Sequence, residues 1–348
     1  MRRPAAVRPF IAFILFLPPL VLLAAQALAQ SPPQAFDPDN WPGAVEARDI
    51  PARYGPTPKP SRAYRFGVVV KFLGNQYWQL LAEGMRVRAA QLGISLDVQA
   101  GASEDDPQGQ LDKMNRMVDR RYDAILISPQ TDRNLRPAVE RARKAGILLL
   151  NVDDAVLDDA PYFVGPNQFE NGQRAARYAM ERHPGGGKVA VIRGIAGVYA
   201  VLQRSDGFFK TLSPAYPVVA QADGQWDLTL AMDKAAVILA AHPDLIAFYC
   251  NNDIMALGVT LAVDKAGLKG QVAVIGTDGI LPALDSIRRG GLTATVDSYP
   301  YETGMVAVEA ALRILENQRL SRVIFSPQRL VTATDLDQKP DLGTLFAR

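Results

Sequence analysis

Residues 65–84, RFGVVVKFLGNQYWQLLAEG, decide how this chain folds. Phe66, Val68, Val69 and Val70 make an apolar, β-branched run that is too short for a buried helix and reads as a buried strand. The turn Gly74-Asn75-Gln76-Tyr77-Trp78 follows at once, and Leu80, Leu81, Gly84 and Met85 then recur at helical spacing. In an open parallel sheet, ligands bind just beyond the carboxyl ends of the strands. Asn75, Tyr77 and Trp78 stand at that place. The two aromatics suit either a ligand platform or the ordinary core at the start of a helix.

Outward from this unit the pattern repeats. Strand-like runs at 94–98, 124–127, 147–152, 162–164, 189–192, 218–220, 245–250, 272–275 and 293–296 alternate with helical patterns, among them 108–120, 135–145, 171–182, 203–212, 228–241, 281–289 and 302–317. Such alternation means βαβ units and parallel sheets. There are too many units for one compact sheet, so the chain is expected to be α/β, with two doubly wound lobes. Its length of 348 residues suits two lobes.

Polar groups close strand after strand: Asn75, Ser128, Asp153 with Asp154, Asn251 with Asn252 and Asp253, and Asp278. Any one of them fits a helix N-cap, and Asp253, opening the helix after 250, is expected to serve partly as one. Together they predict a hydrogen-bonding cage in one crevice. A hydroxylated molecule requires such a cage, because each buried hydroxyl must find a new partner. Tyr77, Trp78 and Trp226 would stack on its apolar faces.

Composition narrows the function. Apolar content of 48% and charged content of 21% are those of a globular protein, and a net charge of +2 gives no case for nucleic acid. The one cysteine, Cys250, lies in an apolar run and reads as a buried small hydrophobe. His183 and His242 precede prolines in polar connections and read as solvent-facing loop residues; no Cys/His cluster has zinc-site spacing. No nucleophile elbow and no P-loop occur. Gly185-Gly186-Gly187-Lys188 precedes a strand instead of following one, so it reads as a turn. Asp153 and Asp154 are adjacent on one loop and do not flank a single glycosidic bond. The expectation is a binder and not an enzyme, with no cofactor and no metal.

The N-terminus reads as an export signal. Arg2, Arg3 and Arg8 precede an apolar segment over 10–25, and Ala27-Leu28-Ala29 is a small-residue cleavage site, giving a mature start at Gln30 and a soluble periplasmic protein. Residues 30–64 form a proline-rich leader, expected as an extended arm, with Trp41 either pinning it to the body or exposed.

Several motifs carry a resemblance. Asn252-Asp253-Ile254-Met255-Ala256-Leu257-Gly258, Ile275-Gly276-Thr277-Asp278-Gly279 and Leu292-Thr293-Ala294-Thr295-Val296, with Pro300 and Gly304 after them, are joined by Arg193-Gly194-Ile195-Ala196-Gly197 and Gln203-Arg204-Ser205-Asp206-Gly207-Phe208. On these the chain resembles the type I periplasmic sugar-binding proteins, close to the ribose-binding branch and related to the effector domains of LacI-type repressors. The resemblance runs over about residues 64–334. It implies two lobes, residues 65–163 with 299–325 and residues 164–298 with 326–337, joined by a three-segment hinge and followed by a tail over 338–348. It also implies closure on a ligand that bridges both lobes.

Carried over by position, Asn75, Tyr77 and Trp78 match the asparagine and aromatics of the first loop. Asp153 matches a carboxylate that binds hydroxyls, Arg204 an arginine from the second lobe, and Trp226 an aromatic that closes the pocket. Asn252 and Asp278 match the amide and carboxylate of that lobe. The sequence departs from the ribose binders at Lys71 (a small hydroxyl residue there), Asp154 (an arginine), Ser298 (a glutamine) and Ser128 (an asparagine). A Lys71–Asp154 pair would compensate the changed charge. The ligand is expected to be a sugar, a polyol or another small polar solute, delivered to an inner-membrane ABC permease. A second resemblance, to the trimethylamine-N-oxide sensor binding proteins, rests on Tyr77-Trp78, Gly84-Met85 and the N-terminal arm. It implies instead a membrane histidine kinase as partner and cation–π capture of a methylated amine.

Overall fold

The computed structural model describes residues 36–336 and 338–346. The export signal expected over residues 1–29, with its cleavage after Ala29, lies outside the described residues.

The chain begins with a short strand β1 (Val45–Glu46) and a single-turn helix α1 (Ile50–Tyr54). It continues through β2 (Arg65–Phe72), α2 (Gln76–Leu92), β3 (Ser95–Gly101), α3 (Pro107–Asp119), β4 (Ala124–Ile127), α4 (Arg136–Lys144), β5 (Leu148–Val152) and β6 (Tyr162–Gly165). It then passes into a second series: α5 (Gln168–Arg182), β7 (Lys188–Arg193), α6 (Tyr199–Thr211), β8 (Val218–Asp223), α7 (Leu228–Ala241), β9 (Leu245–Cys250), α8 (Asp253–Lys265), β10 (Ala273–Asp278), α9 (Leu281–Arg288) and β11 (Ala294–Asp297). The last elements are α10 (Pro300–Leu315), β12 (Val323–Phe325) and β13 (Arg329–Val331).

Two sheets result. The first has seven strands in the order β1-β12-β6-β5-β4-β2-β3, and the second six in the order β13-β11-β10-β9-β7-β8. All pairings are parallel except that of β13 with β11. The backbone crosses between the sheets three times: from β6 to α5, from β11 to α10, and from β12 to β13. This is the two-lobed, three-crossing α/β fold that the resemblance implies.

The sequence explains the local structure. Phe66, Val68, Val69 and Val70 are fully buried, because helices cover both faces of the sheet at β2. Asn75 then caps α2, its Oδ1 accepting the Tyr77 N–H at 3.0 Å, and Gly93 ends that helix in the left-handed conformation that costs a glycine least. Three helix pairs meet backbone to backbone, α7 with α8 at Gly258 among them. A Cβ at Gly84 would lie 1.8 Å from the Tyr301 carbonyl oxygen, and one at Gly172 2.0 Å from that of Arg204. These positions let α2 approach α10 and α5 approach α6.

The leader departs from expectation. From Phe36 onward it is packed onto the body, mostly against the first lobe, and is not an extended arm. Val45 and Glu46 pair with Ile324 and Phe325 as the outermost strand, and Ile50 is fully buried in the core. Trp41 packs edge-on against Phe36 with ring centroids 5.4 Å apart, and the Arg322 guanidinium lies 3.6 Å from the Phe36 ring centre. Proline has a second use that accounts for this: Pro38 and Pro51 open a short 3-10 turn and α1, where a missing N–H costs nothing. The histidines also differ from expectation. His183 and His242 are half-buried and terminate α5 and α7.

Candidate functional site

A small cavity of about 20 Å³, room for about one water molecule, lies between the lobes, at the carboxyl ends of the strands. Its walls are Asn75, Tyr77, Trp78, Glu104, Asp153 and Asp154 from the first lobe and Arg204, Trp226, Asn252 and Asp278 from the second.

On the first lobe, α2 begins immediately past β2 and so brings Tyr77 and Trp78 to the rim. Their rings meet edge to face at 5.0 Å, and both are also part of the lobe's core, so the two readings of these aromatics hold together. Asn75 spends its oxygen on the helix cap and donates its amide to Glu104 Oε1 at 3.1 Å. Beyond β5, Asp153 and Asp154 both have positive φ, 55° and 56°. Two successive non-glycine residues in this region hold a strained turn, as binding sites often do. Asp153 accepts the Tyr77 hydroxyl on Oδ2. Its Oδ1 takes the Asp154 N–H at 2.6 Å and Gln168 Nε2 at 2.5 Å. Burial, with Asp154 adding to it, pushes the Asp153 carboxyl above its ordinary range, against Arg204 and the Tyr77 bond. Lys71 forms an ion pair with Asp154, both side chains being buried, and its ammonium stands 5.8 Å from the Trp78 ring centre.

On the second lobe, α6 carries Arg204 inward. Its Nε donates to Gln168 Oε1 at 2.7 Å; its Nη1 donates to the Asn251 carbonyl at 2.5 Å and to Asp278 Oδ1 at 3.3 Å. Burial presses the Arg204 pKa down, but Asp278, Asp153 and Asp154 outweigh it and hold the guanidinium charged. Burial also drives Asp278 well above the carboxylate range, with Arg204 opposing. Asn252 caps α8 through Oδ1, which accepts the Met255 N–H at 2.9 Å, and leaves its Nδ2 to offer. Trp226, at positive φ, lies over Gly194, where a Cβ would come within 2.2 Å of the indole.

Of the sequence-predicted set, Asn75, Tyr77, Trp78, Asp153, Asp154, Arg204, Trp226, Asn252 and Asp278 come together here, with Lys71 behind Asp154. Ser298 does not line the cavity. It is fully buried at the second crossing, where its hydroxyl accepts Asn171 Nδ2 at 3.3 Å. Asp253 is not the cap of α8. It is fully buried inside the second lobe and accepts the N–H groups of Gly279 and Ile280, at 2.8 and 3.1 Å, and the Thr295 hydroxyl, at 2.7 Å. Burial pushes its carboxyl up to about 6.

Two functional residues escaped the sequence reading. Glu104 lies on the loop after β3, the strand-end position that singled out the others, but within an acidic run that reads as solvated. Burial raises its pKa against the pull of Lys71. Gln168, in the first turn of α5, joins Asp153 to Arg204, and no sequence signal marks it. The cavity therefore presents four carboxyl groups, three of them pushed toward neutrality, with a guanidinium, two amides and three aromatic rings. Such a set pairs the hydroxyls of a small ligand and stacks on its C–H faces.

Comparison with known proteins agrees with this geometry. Residues 66–319 match the family model described as a periplasmic binding protein domain. The D-allose-binding periplasmic protein of Escherichia coli is 34% identical over 258 residues, which are 71% of this chain and 83% of that protein. The ribose import binding protein RbsB of Bacillus subtilis is 29% identical over 280 residues, 79% of this chain and 90% of that protein. Among solved structures, an ABC transporter periplasmic solute-binding protein from Actinobacillus succinogenes with bound D-allose superposes with a TM-score of 0.75 at 29% identity, over 78% of this chain and 99% of that one. None of these relatives is named as a sensor, and the comparisons lend the histidine-kinase alternative no support. Matched over most of its length and carrying this interlobe cavity, the chain belongs to the type I periplasmic sugar-binding protein family.

Proposed function

We propose that this protein captures a monosaccharide in the interlobe cavity and delivers it to an ABC permease of the inner membrane, with D-allose the first candidate. One observation carries the reading: a continuous hydrogen-bonded chain, Tyr77–Asp153–Gln168–Arg204–Asp278, crosses from one lobe to the other beside the cavity. A ligand that touches both ends of it binds the closed form better than the open one, which is the condition for ligand-driven closure. The Lys71–Asp154 pair supports a neutral ligand, because the lysine offsets the acid that replaces an arginine of the ribose binders. The work is binding and release; no bond in the sugar is made or broken. The names of the relatives support D-allose and D-ribose as ligands and the permease as partner. The sequence of the first 29 residues supports export to the periplasm with cleavage after Ala29.

The test is isothermal titration and thermal shift of the protein against D-allose, D-ribose, D-arabinose, myo-inositol and trimethylamine N-oxide. A ligand at a hundredfold excess over its Kd stabilises the fold by about 2.7 kcal/mol. Binding of an aldose with submillimolar Kd is the expected result. Silence of every sugar, with binding of the amine oxide, would overturn the proposal. Intact mass of the exported protein tests the start at Gln30.

A further inference from the structure

The family match begins at residue 66, yet a residue far upstream touches the scaffold of the cavity. The Asp39 carboxylate accepts the Gln168 N–H at 3.0 Å and the Phe169 N–H at 2.8 Å, two of the donors that the first turn of α5 leaves unpaired. Asn167 Nδ2 donates to the Asp39 carbonyl at 3.3 Å. The Tyr199 hydroxyl, at the start of α6, donates to Asp37 at 2.6 Å and accepts the Asp39 N–H at 3.2 Å. The same short segment is fastened to the other lobe. The Phe36 N–H donates to Asp158 at 3.2 Å, and its ring packs among Val156, Phe163 and Val323. Residues 36–41 thus bridge the two lobes.

Gln168 is where this bridge meets the ligand site. Its backbone is held by Asp39. Its buried side chain donates to Asp153 and accepts from Arg204 Nε at 2.7 Å and from Asn171 Nδ2 at 3.2 Å. A shift of the first turn of α5 therefore moves one ligand-facing carboxylate and one ligand-facing guanidinium together. We infer that Asp39 is a positioning residue of the sugar site: the leader fixes the first turn of α5, and through Gln168 it aims Asp153 and Arg204 into the cavity. The inference rests on the proposed function, in that it takes this cavity as the sugar site.

The test uses the protein purified after export by its own signal, as wild type, Asp39→Ala, Asp39→Asn and Tyr199→Phe. Two readouts are taken: the Kd for D-allose by titration, and the NMR signal and water-exchange rate of the Arg204 Nε–H in the ligand-free protein. Asparagine keeps one of the two oxygen acceptors, enough to hold the Gln168 N–H, and alanine keeps neither. The expected result is a Kd raised about tenfold by Asp39→Ala, the loss of about one hydrogen bond's worth of positioning, and held within about threefold by Asp39→Asn. The Arg204 Nε–H should exchange faster in Asp39→Ala and return toward wild type in Asp39→Asn. A residue that only caps α5 would lower the melting temperature in Asp39→Ala while leaving the Kd within twofold and the Arg204 signal in place, and that outcome overturns the inference. If wild type binds no sugar, the proposed function fails, and the Arg204 signal alone decides the role of Asp39. If Asp39→Ala does not fold, Tyr199→Phe must move both readouts the same way, or the inference fails.

Discussion

Substituting Gly172 by alanine puts a methyl group where α5 and α6 already touch. The new Cβ would stand 2.0 Å from the Arg204 carbonyl oxygen and 2.7 Å from the Phe208 nitrogen, both backbone atoms that cannot swing aside. An ordinary carbon–oxygen contact is about 3.3 Å, so the helices must part by about 1 Å. Overpacking of this kind costs about 1–3 kcal/mol of stability. The displacement falls on Arg204 itself. Its Nε–Gln168 bond is 2.7 Å long, and another ångström takes it out of hydrogen-bonding range. A charge-assisted bond is worth about 1.5–3 kcal/mol, so sugar affinity should fall about tenfold to a hundredfold. Titration with D-allose and thermal melting measure the two effects, with Gly185→Ala, whose Cβ would meet nothing within 4 Å, as the control. A Kd within twofold of wild type would refute the claim that the α5–α6 contact sets the geometry of Arg204.

Four further outcomes are expected. Asp278→Ala leaves the buried Arg204 without its carboxylate, so D-allose affinity measured by titration should drop by about thirtyfold or more. Lys71→Met strands Asp154 as an unpaired buried acid and should cost about 3–5 kcal/mol in denaturant melts, while Lys71→Met with Asp154→Leu recovers most of it. Trp226→Ala should weaken sugar binding by about 1–2 kcal/mol without lowering the melting temperature comparably, since the indole is only half-buried over Gly194. Burial raises Asp39 from 3.8 to about 7, so the native state holds this proton more tightly than the unfolded chain. Its contribution is complete below about pH 4 and lost as the pH rises to about 7, on the order of 4 kcal/mol in all. From pH 4 to 7 wild type should therefore lose about 4 kcal/mol of stability relative to Asp39→Asn, with the difference between the two curves constant above that interval; a difference that does not fall with rising pH refutes the assignment.

Most of the site was legible because it follows one rule. Asn75, Asp153, Asn252 and Asp278 each sit at or within three residues of the carboxyl end of an apolar strand, and a parallel sheet brings such ends to one edge. What the sequence could not display is contact between distant side chains. Lys71 and Asp154 belong to different strand ends, and only the pairing of β2 with β4 and of β4 with β5 brings them near. Glu104 was hidden by its acidic neighbours, and Gln168 by having no feature that distinguishes it from a surface glutamine. The cap of α8 was misread by one residue. Asn252 still has extended backbone, φ −147°, and so is free to fold back on the helix, whereas Asp253 is already helical and points into the lobe. The leader was misread because proline density describes an arm and the opening turns of short helices equally well.

The edge of the first sheet has a consequence for how the protein comes into being. Its order places β12, from near the end of the chain, between β1 and β6, with Val45 beside Ile324 and Val323 beside Phe163. Strands β7 to β11 of the other sheet, by contrast, form an uninterrupted run from Lys188 to Asp297. The second lobe is therefore the one with local contacts and should acquire structure first. The first must wait for a late segment and close long loops around it, which is the slow kind of topology. Until β12 arrives, β6 is an open apolar edge, the sort of strand that recruits another chain. A chain cut short before Val323 should therefore be lost to aggregation, even though it would carry every residue that lines the cavity.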